Sequence, residues 1–359
     1  MSLIKNFDRK QKITIGVALL AAILAGTLTY AHVNPVIVFV VAGIALASLA
    51  ATVGDATDEL GDHLTPGATG VVQSAIGNLP ELFVSIFALK AGLITVVQAS
   101  IIGSILSNGL LVLGAAFFFG GLKNGSLKFK SSPPRMIATL MLLAVSALVI
   151  PTMTYELHLP ASGHEDTLSL IVAVVLLLVF VASIPFSIKG GAQKTAVDAR
   201  IEAHHGGWPL GLTIGVLAAA GLGAAFVSEW FVHALEPAIE ALGISEAFAG
   251  LVIVALAGNA VENVVGVELA VANKIDLAVS VVLNSALQVA LLVTPVLVLA
   301  SFFLGGTIFT LVMPPMMVAV VFLAALLSAV IVFDGRANWL EGVALLGLYA
   351  IIAASFWWG

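Results

Sequence analysis

Long apolar stretches recur along the chain, separated by short segments rich in proline, glycine and charged residues. A helix needs about 20 apolar residues to cross the hydrocarbon core of a bilayer. Eleven such stretches can be placed, with centres near residues 22, 44, 80, 107, 145, 178, 221, 258, 289, 321 and 348. The pattern therefore predicts an all-α integral membrane protein with about 11 transmembrane helices.

The composition excludes several other classes of protein. Of the 359 residues, 60% are hydrophobic and only 9% are charged, whereas soluble domains carry about 25% charged residues. The absence of cysteine excludes disulfides, thiol catalysis and thiolate metal sites. Neither H-E-x-x-H nor G-x-S-x-G occurs, which argues against an intramembrane enzyme.

The basic residues predict the orientation in the membrane. With the N-terminus in the cytoplasm, 13 of the 14 Lys and Arg residues fall in cytoplasmic segments, and only Lys90 falls outside. Cytoplasmic loops carry such an excess of basic residues. We therefore expect a multi-pass protein of the cell's inner (plasma) membrane. Its C-terminal Trp357 and Trp358 should lie outside, because the number of helices is odd.

The two halves of the chain share a motif. Gly77-Asn78-Leu79-Pro80-Glu81 in the first half has a counterpart in the second, Gly258-Asn259-Ala260-Val261-Glu262. The repeat unit holds five helices, an odd number, so the second copy should be inverted, as in many transporters. The predicted organisation is a tail and peripheral helix at 1–34, repeats at 35–188 and 209–359, and a cytoplasmic linker at 189–208.

Glu81 and Glu262 are the central candidates for function. A carboxylate at mid-membrane costs about 2.5–3.5 kcal/mol on insertion scales. One such glutamate could merely bond a neighbouring helix, but two at matched positions favour a functional site. The polar residues expected around them are Asn78, Asn259, Ser104, Ser107, Asn108, Ser285 and Gln288.

This set offers only oxygen ligands from acids, amides and hydroxyls, which suit a hard cation such as Ca²⁺. Two carboxylates can neutralise a divalent ion or hold two protons instead, which is the basis of an exchanger. Because each Asn precedes its Glu by three residues, we expect each pair to share a helix face. Pro80 should loosen the first helix, and Gly258 the second to a lesser degree.

Glu229 and His233 form a weaker candidate. They are four residues apart near the outward end of the seventh helix. They could relay protons, or they could equally face the outer headgroups.

These motifs resemble those of the cation/proton exchanger (Ca²⁺/H⁺ antiporter) family of the Ca²⁺:cation antiporter superfamily. The matching segments are G-N-L-P-E-L-F-V-S at 77–85, G-S-I-L-S-N at 103–108, G-N-A-V-E at 258–262, N-S-A-L-Q at 284–288 and D-G-R-A-N-W-L-E-G at 334–342. The resemblance implies 11 helices, a central site on the two glutamates, and exchange of Ca²⁺ for H⁺ by alternating access. The expected partners are Ca²⁺, H⁺ and the bilayer, without nucleic acid or a resident cofactor; the oligomeric state, including a homo-oligomer, stays open.

Two positions depart from related patterns. Asn263 stands where the family usually has His after the second motif. Val289 stands four residues after Ser285, where sodium-coupled relatives carry Asp, although Asn108 is kept in the first copy. The second departure favours H⁺ as the counter-ion. A Na⁺/Ca²⁺ exchanger, a channel and an intramembrane enzyme are the alternatives.

Overall fold

The computed structural model describes residues 7–61, 63–64, 76–129, 132–190 and 207–358. Its helices are α1 (Arg9–Tyr30), α2 (Pro35–Gly61), α3 (Leu79–Lys90), α4 (Ile94–Asn124), α5 (Ser132–Glu156), α6 (Glu165–Gly190), α7 (Leu210–Leu242), α8 (Glu246–Gly258), α9 (Ala260–Val271), α10 (Ile275–Leu304), α11 (Pro315–Phe333) and α12 (Trp339–Ser355). The predicted linker 189–208 lies largely outside the described residues.

The helices confirm the all-α membrane class. Within the described ranges, eight helices are long and apolar enough to cross a bilayer: α1, α2, α4, α5, α6, α7, α10 and α11. Helices α8 and α9 together form a ninth candidate span, bent by 64°. A helix lies at each of the 11 predicted centres. The count of 11 transmembrane spans stays a prediction.

Three of the described helices contain a π-helical segment, which the sequence pattern did not predict. The segments are Ser107–Val112 in α4, Ala249–Val254 in α8 and Val289–Val293 in α10. Such wide turns are frequent at functional sites. In α10 the Thr294 hydroxyl donates to the Val289 carbonyl at 2.8 Å. A side chain therefore bonds the carbonyl oxygen of the first residue of this π-helical segment.

A two-stranded antiparallel ladder is the one sheet in the described ranges. Strand β1 (Leu127–Lys128) follows α4, and β2 (Arg336–Ala337) follows α11. The Phe129 N–H donates to the Gly335 carbonyl at 2.9 Å and extends the pairing. The two loops meet only in the folded protein, where unpaired backbone groups find partners in each other. The pattern of apolar residues within either segment therefore cannot predict this strand pairing.

Helix bounds repeat at the same offset as the sequence motif. The spacing between Glu81 and Glu262 also separates three pairs of helix bounds. Helices α2 and α7 end at Gly61 and Leu242, and α3 and α9 end at Lys90 and Val271. Helices α4 and α10 begin at Ile94 and Ile275. The π-helical segments of α4 and α10 overlap at this offset as well. Helical bounds and helical distortions therefore correspond between the two halves.

Helix α4 lies at the centre of the bundle and α1 at its rim. In the apolar 18-residue stretch of each helix, 83% of the residues of α4 are buried, whereas only 17% of those of α1 are. Helix α1 packs chiefly on α2, which packs along α7, where the rings of Phe39 and Phe231 stack 4.7 Å apart. Helix α1 is therefore far less buried than α4, and its place outside the two repeats stays a prediction.

Two glycines let α4 and α8 cross closely. A Cβ atom on Gly103 would overlap the backbone of Leu251, and one on Gly250 would lie 2.5 Å from the Val96 carbonyl oxygen. A methyl group at either position would push the helices apart, since neither backbone can yield easily. This contact brings the segment ending at Gly258 against the helix that carries Ser104.

Candidate functional site

Each Gly-Asn-x-x-Glu motif lies at the start of a helix inside an apolar region. Asn78 and Asn259 precede α3 and α9 with nearly the same backbone angles, φ −93° and ψ 11° against φ −92° and ψ 22°. Glu81 and Glu262 therefore lie in the first turns of their helices. The partial positive charge of a helix N-terminus stabilises a carboxylate there.

The interruption of the first helix lies at Asn78 and not within a continuous helix at Pro80. Pro80 occupies the first turn of α3, where its missing N–H removes no helical hydrogen bond. Each Asn lies just before its helix and not within it. The expected pairing of each Asn with the Glu of its own motif on one helix face is therefore not seen in their hydrogen bonds. Both amides bond across to the other half of the chain.

Glu81 is held by side chains from α4 and from the second motif. Its Oε1 atom accepts hydrogen bonds from Ser104 Oγ at 3.0 Å and from Asn259 Nδ2 at 2.5 Å. Asn259 Nδ2 also lies 2.9 Å from Ser104 Oγ and 2.9 Å from the carbonyl oxygen of Ala255. The carboxylate of one half is therefore oriented by the amide of the other.

Asn108 connects this group to the second copy. Its Nδ2 atom donates to Asn259 Oδ1 at 2.9 Å and lies 3.2 Å from Ser285 Oγ. The same atom is 3.1 Å from the Ser104 carbonyl oxygen, one helical turn earlier. We call Glu81, Ser104, Asn108, Asn259 and Ser285 the Glu81 cluster.

A second contact between the halves lies beside the Glu81 cluster. Asn78 Nδ2 donates to Gln288 Oε1 at 3.1 Å. Glu262 is half-buried, and its carboxyl group interacts electrostatically with that of Glu81. The structure thus brings both glutamates and both asparagines of the motifs into one region.

Three buried oxygens here have no hydrogen-bond partner among the described residues: Glu81 Oε2, Ser107 Oγ and Asn108 Oδ1. Buried polar atoms in native proteins are nearly always satisfied by protein, water or an ion. A carboxylate oxygen and an amide oxygen are acceptors that suit a hard cation.

Glu81 also borders a cleft with an empty volume of about 320 Å³. The polar lining adds Ser85 and Ser100, which the sequence reasoning did not select. Their spacing was the available signal, because Ser85 follows Glu81 by four residues and Ser100 precedes Ser104 by four. Val289 also lines the cleft and is 1% exposed.

The two motif glycines differ in their surroundings. A Cβ atom on Gly258 would lie 2.5 Å from Cγ and 3.1 Å from Oε1 of Glu81. A Cβ atom on Gly77 would have no described neighbour within 4 Å. Gly258 thus leaves the space that the Glu81 side chain fills, and the two copies are not equivalent here.

Glu229 and His233 lie on an exposed face of α7. His233 borders a separate cavity with an empty volume of about 550 Å³, together with His32. No hydrogen bond joins either residue to the Glu81 cluster in the described part of the chain. The proton relay stays a prediction.

Known proteins resemble this chain in sequence over most of its length. The family model described as "Sodium/calcium exchanger protein" matches residues 34–189 and 212–358. A Ca²⁺/H⁺ antiporter of Synechocystis is 38% identical over 89% of this chain and 90% of its own length. The Ca²⁺/H⁺ antiporter ChaA of Bacillus subtilis is 36% identical over 90% of this chain and 93% of its own.

A solved structure, that of native YfkE, superposes with a TM-score of 0.82 at 32% identity. The match covers 96% of this chain and 99% of that one. Motifs, fold and relatives agree, and the chain belongs to the sodium/calcium exchanger protein family, in its Ca²⁺/H⁺ antiporter branch.

Proposed function

We propose that the protein exchanges Ca²⁺ for H⁺ across the cytoplasmic membrane by alternating access. The observation that carries the proposal is the bond network in which Asn259 and Ser104 orient the Glu81 carboxylate, with Glu262 near enough to act on it electrostatically. Relatives named Ca²⁺/H⁺ antiporters cover nearly the whole chain. This family consists of transporters, and the proposal assigns no enzymatic step.

The ion site proposed here comprises Glu81 and Glu262 as the charged ligands. The neutral oxygens come from Asn78, Asn259, Ser104, Ser107, Asn108, Ser285 and Gln288. Glu81 Oε2 and Asn108 Oδ1 are free acceptors in the described part of the site. Ca²⁺ takes six to eight oxygen ligands in irregular geometry, and water in the cleft beside Glu81 can complete the set.

Exchange follows because the site has the same net charge when it holds one Ca²⁺ as when it holds two protons. With Ca²⁺ bound, two carboxylates neutralise the two positive charges. With Ca²⁺ gone, the same two carboxylates repel each other unless each takes a proton. Only these neutral forms can move within a low-dielectric interior at low cost. The proposed stoichiometry is therefore two protons for each Ca²⁺.

The proposed architecture is 11 transmembrane helices in two inverted five-helix repeats. The constant offset between corresponding helix bounds supports the repeat. An odd unit of five helices makes the two copies enter from opposite sides of the membrane, with the binding site between them. The paired motifs then open alternately to the two sides.

Ca²⁺ flux should be driven by a proton gradient and not by a sodium gradient. Val289 places an isopropyl group beside Glu81 where sodium-coupled relatives carry Asp, so Na⁺ lacks an oxygen ligand there. We expect Ca²⁺ uptake into proteoliposomes under an imposed proton gradient at fixed membrane potential. Robust uptake driven by Na⁺ alone at constant pH would instead identify a Na⁺/Ca²⁺ exchanger.

The topology can be tested separately, because the chain contains no cysteine. In intact cells, a cysteine at Ser162 should react with a membrane-impermeant thiol reagent, and one at Ser126 should react only after the membrane is opened. Labelling of Ser126→Cys from outside would show that the orientation is the reverse of the one proposed. Labelling of both positions from the same side would contradict the proposed number of spans between them.

A further inference from the structure

The small ladder places two positive side chains next to each other. Lys128 of β1 is directly opposite Arg336 of β2. Directly opposite residues of an antiparallel pair project from the same face, with Cβ atoms about 4.5–5.5 Å apart. Leu127 and Ala337 occupy the other face and are buried, whereas both cations are exposed. The ladder thus presents an ammonium and a guanidinium side by side to the surroundings.

This arrangement is unfavourable without a counter-ion, because like charges directly opposite each other destabilise a strand pair. The nearest carboxylates in sequence already accept backbone hydrogen bonds. Asp334 Oδ1 accepts from the Arg336 N–H at 3.0 Å, and Glu341 Oε2 accepts from the Asn338 N–H at 2.9 Å. Among the described residues, neither carboxylate forms an ion pair with Lys128 or Arg336.

Near the ladder in sequence lie both a further positive charge and exposed apolar side chains. Lys123, in the last turn of α4 just before β1, adds a third exposed cation. Phe333 and Trp339, which flank β2, are 57% and 48% exposed, and Leu122 is exposed beside Lys123. Exposed aromatic rings next to cations at helix ends are typical of the level where lipid headgroups meet hydrocarbon.

We propose that Lys123, Lys128 and Arg336, the basic ladder patch, bind the phosphate of an anionic phospholipid headgroup. An arginine fork and a lysine point charge together suit a phosphate group. The adjoining exposed apolar side chains suit the acyl chains of a lipid and have no role toward a free anion. Basic pockets between transmembrane helices bind lipid headgroups in this way.

The site would also act on the fold. β1 belongs to the loop between α4 and α5, and β2 to the loop between α11 and α12. A headgroup that neutralises Lys128 and Arg336 together removes the repulsion across the ladder. The lipid should therefore strengthen the junction between two loops that come from opposite halves of the chain. This inference is independent of which ions are exchanged.

The test is thermal unfolding of the purified full-length protein in detergent with phosphatidylglycerol, phosphatidylcholine or inorganic phosphate added. Phosphatidylglycerol should raise the Tm of the wild-type protein more than the other two. In Lys128→Gln/Arg336→Gln, apparent affinity for phosphatidylglycerol should fall about ten-fold or more, since each cation contributes about five-fold near an anionic lipid.

Arg9→Gln/Lys12→Gln is the matched control, since it removes two exposed cations from the start of α1. It should keep the wild-type response. Should the ladder variant prove unstable, Lys128→Arg should retain the response, and native mass spectrometry should count bound lipid in each protein. An undiminished response in Lys128→Gln/Arg336→Gln would overturn the proposal, as would an equal response to inorganic phosphate.

Discussion

Glu81→Gln and Glu262→Gln should each abolish Ca²⁺ exchange while the protein remains folded in the membrane. Either change leaves one carboxylate to neutralise a divalent ion. A unit charge about 4 Å from another contributes on the order of 4 kcal/mol at an effective dielectric constant of 20. Removing it should slow transport at least a hundred-fold. The measurement is ⁴⁵Ca²⁺ uptake by proteoliposomes under an imposed proton gradient.

Glu156→Gln supplies the control for this pair. Glu156 is exposed at the end of α5 and outside the Glu81 cluster, so the same chemical change there should leave uptake near the wild-type rate. Size-exclusion profiles of all three variants would separate a lost ion site from a lost fold. Near wild-type uptake by either Glu81→Gln or Glu262→Gln would rule out the two-carboxylate site.

Gly258→Ala should reduce exchange at least ten-fold, whereas Gly77→Ala should stay within about two-fold of wild type. The added methyl group at 258 would lie 2.5 Å from Glu81 Cγ. Overpacking of this kind typically costs about 1–3 kcal/mol. Here the group that must move is the carboxylate itself, so its bonds to Ser104 and Asn259 are lost as well.

Gly77 is the matched position in the other motif, and no described residue lies within 4 Å of where its methyl group would go. The comparison therefore isolates contact with Glu81 from any general intolerance of alanine in the motif. Uptake rates and the Ca²⁺ concentration for half-maximal uptake should both be measured. Equal damage from the two substitutions would show that the motifs are equivalent and that the contact with Glu81 is not the cause.

The sequence was sufficient to predict helices at 11 places and to find the residues that meet in the Glu81 cluster. Apolar length predicts a membrane helix directly, and a repeated buried acid stands out against 60% hydrophobic composition. The partners within the cluster were not predictable. Asn259 bonds Glu81, 178 residues away, and Asn78 bonds Gln288, 210 residues away. Helical periodicity relates only near neighbours, and so suggested Asn–Glu pairs within each motif.

Backbone features were also beyond prediction from periodicity. The β1–β2 ladder depends on two loops that approach only after folding. The role of Gly258 as space for Glu81 depends on a contact between α8 and α3. The sequence suggested only that Gly258 loosens its helix, and the packed structure shows that it leaves space for Glu81 Cγ.

The π-helical segments affect how this chain should be aligned with its relatives. A π-helical turn closes its hydrogen bond over five residues in place of four, so it accommodates one residue more than an α-helical turn. A relative that lacks that residue can keep both flanking helical segments in place. One-residue gaps near α4 and α10 therefore belong within 107–112 and 289–293 and not in the connecting loops. A gap placed in a loop would misassign every residue between the loop and the wide turn, including Ser104 or Ser285.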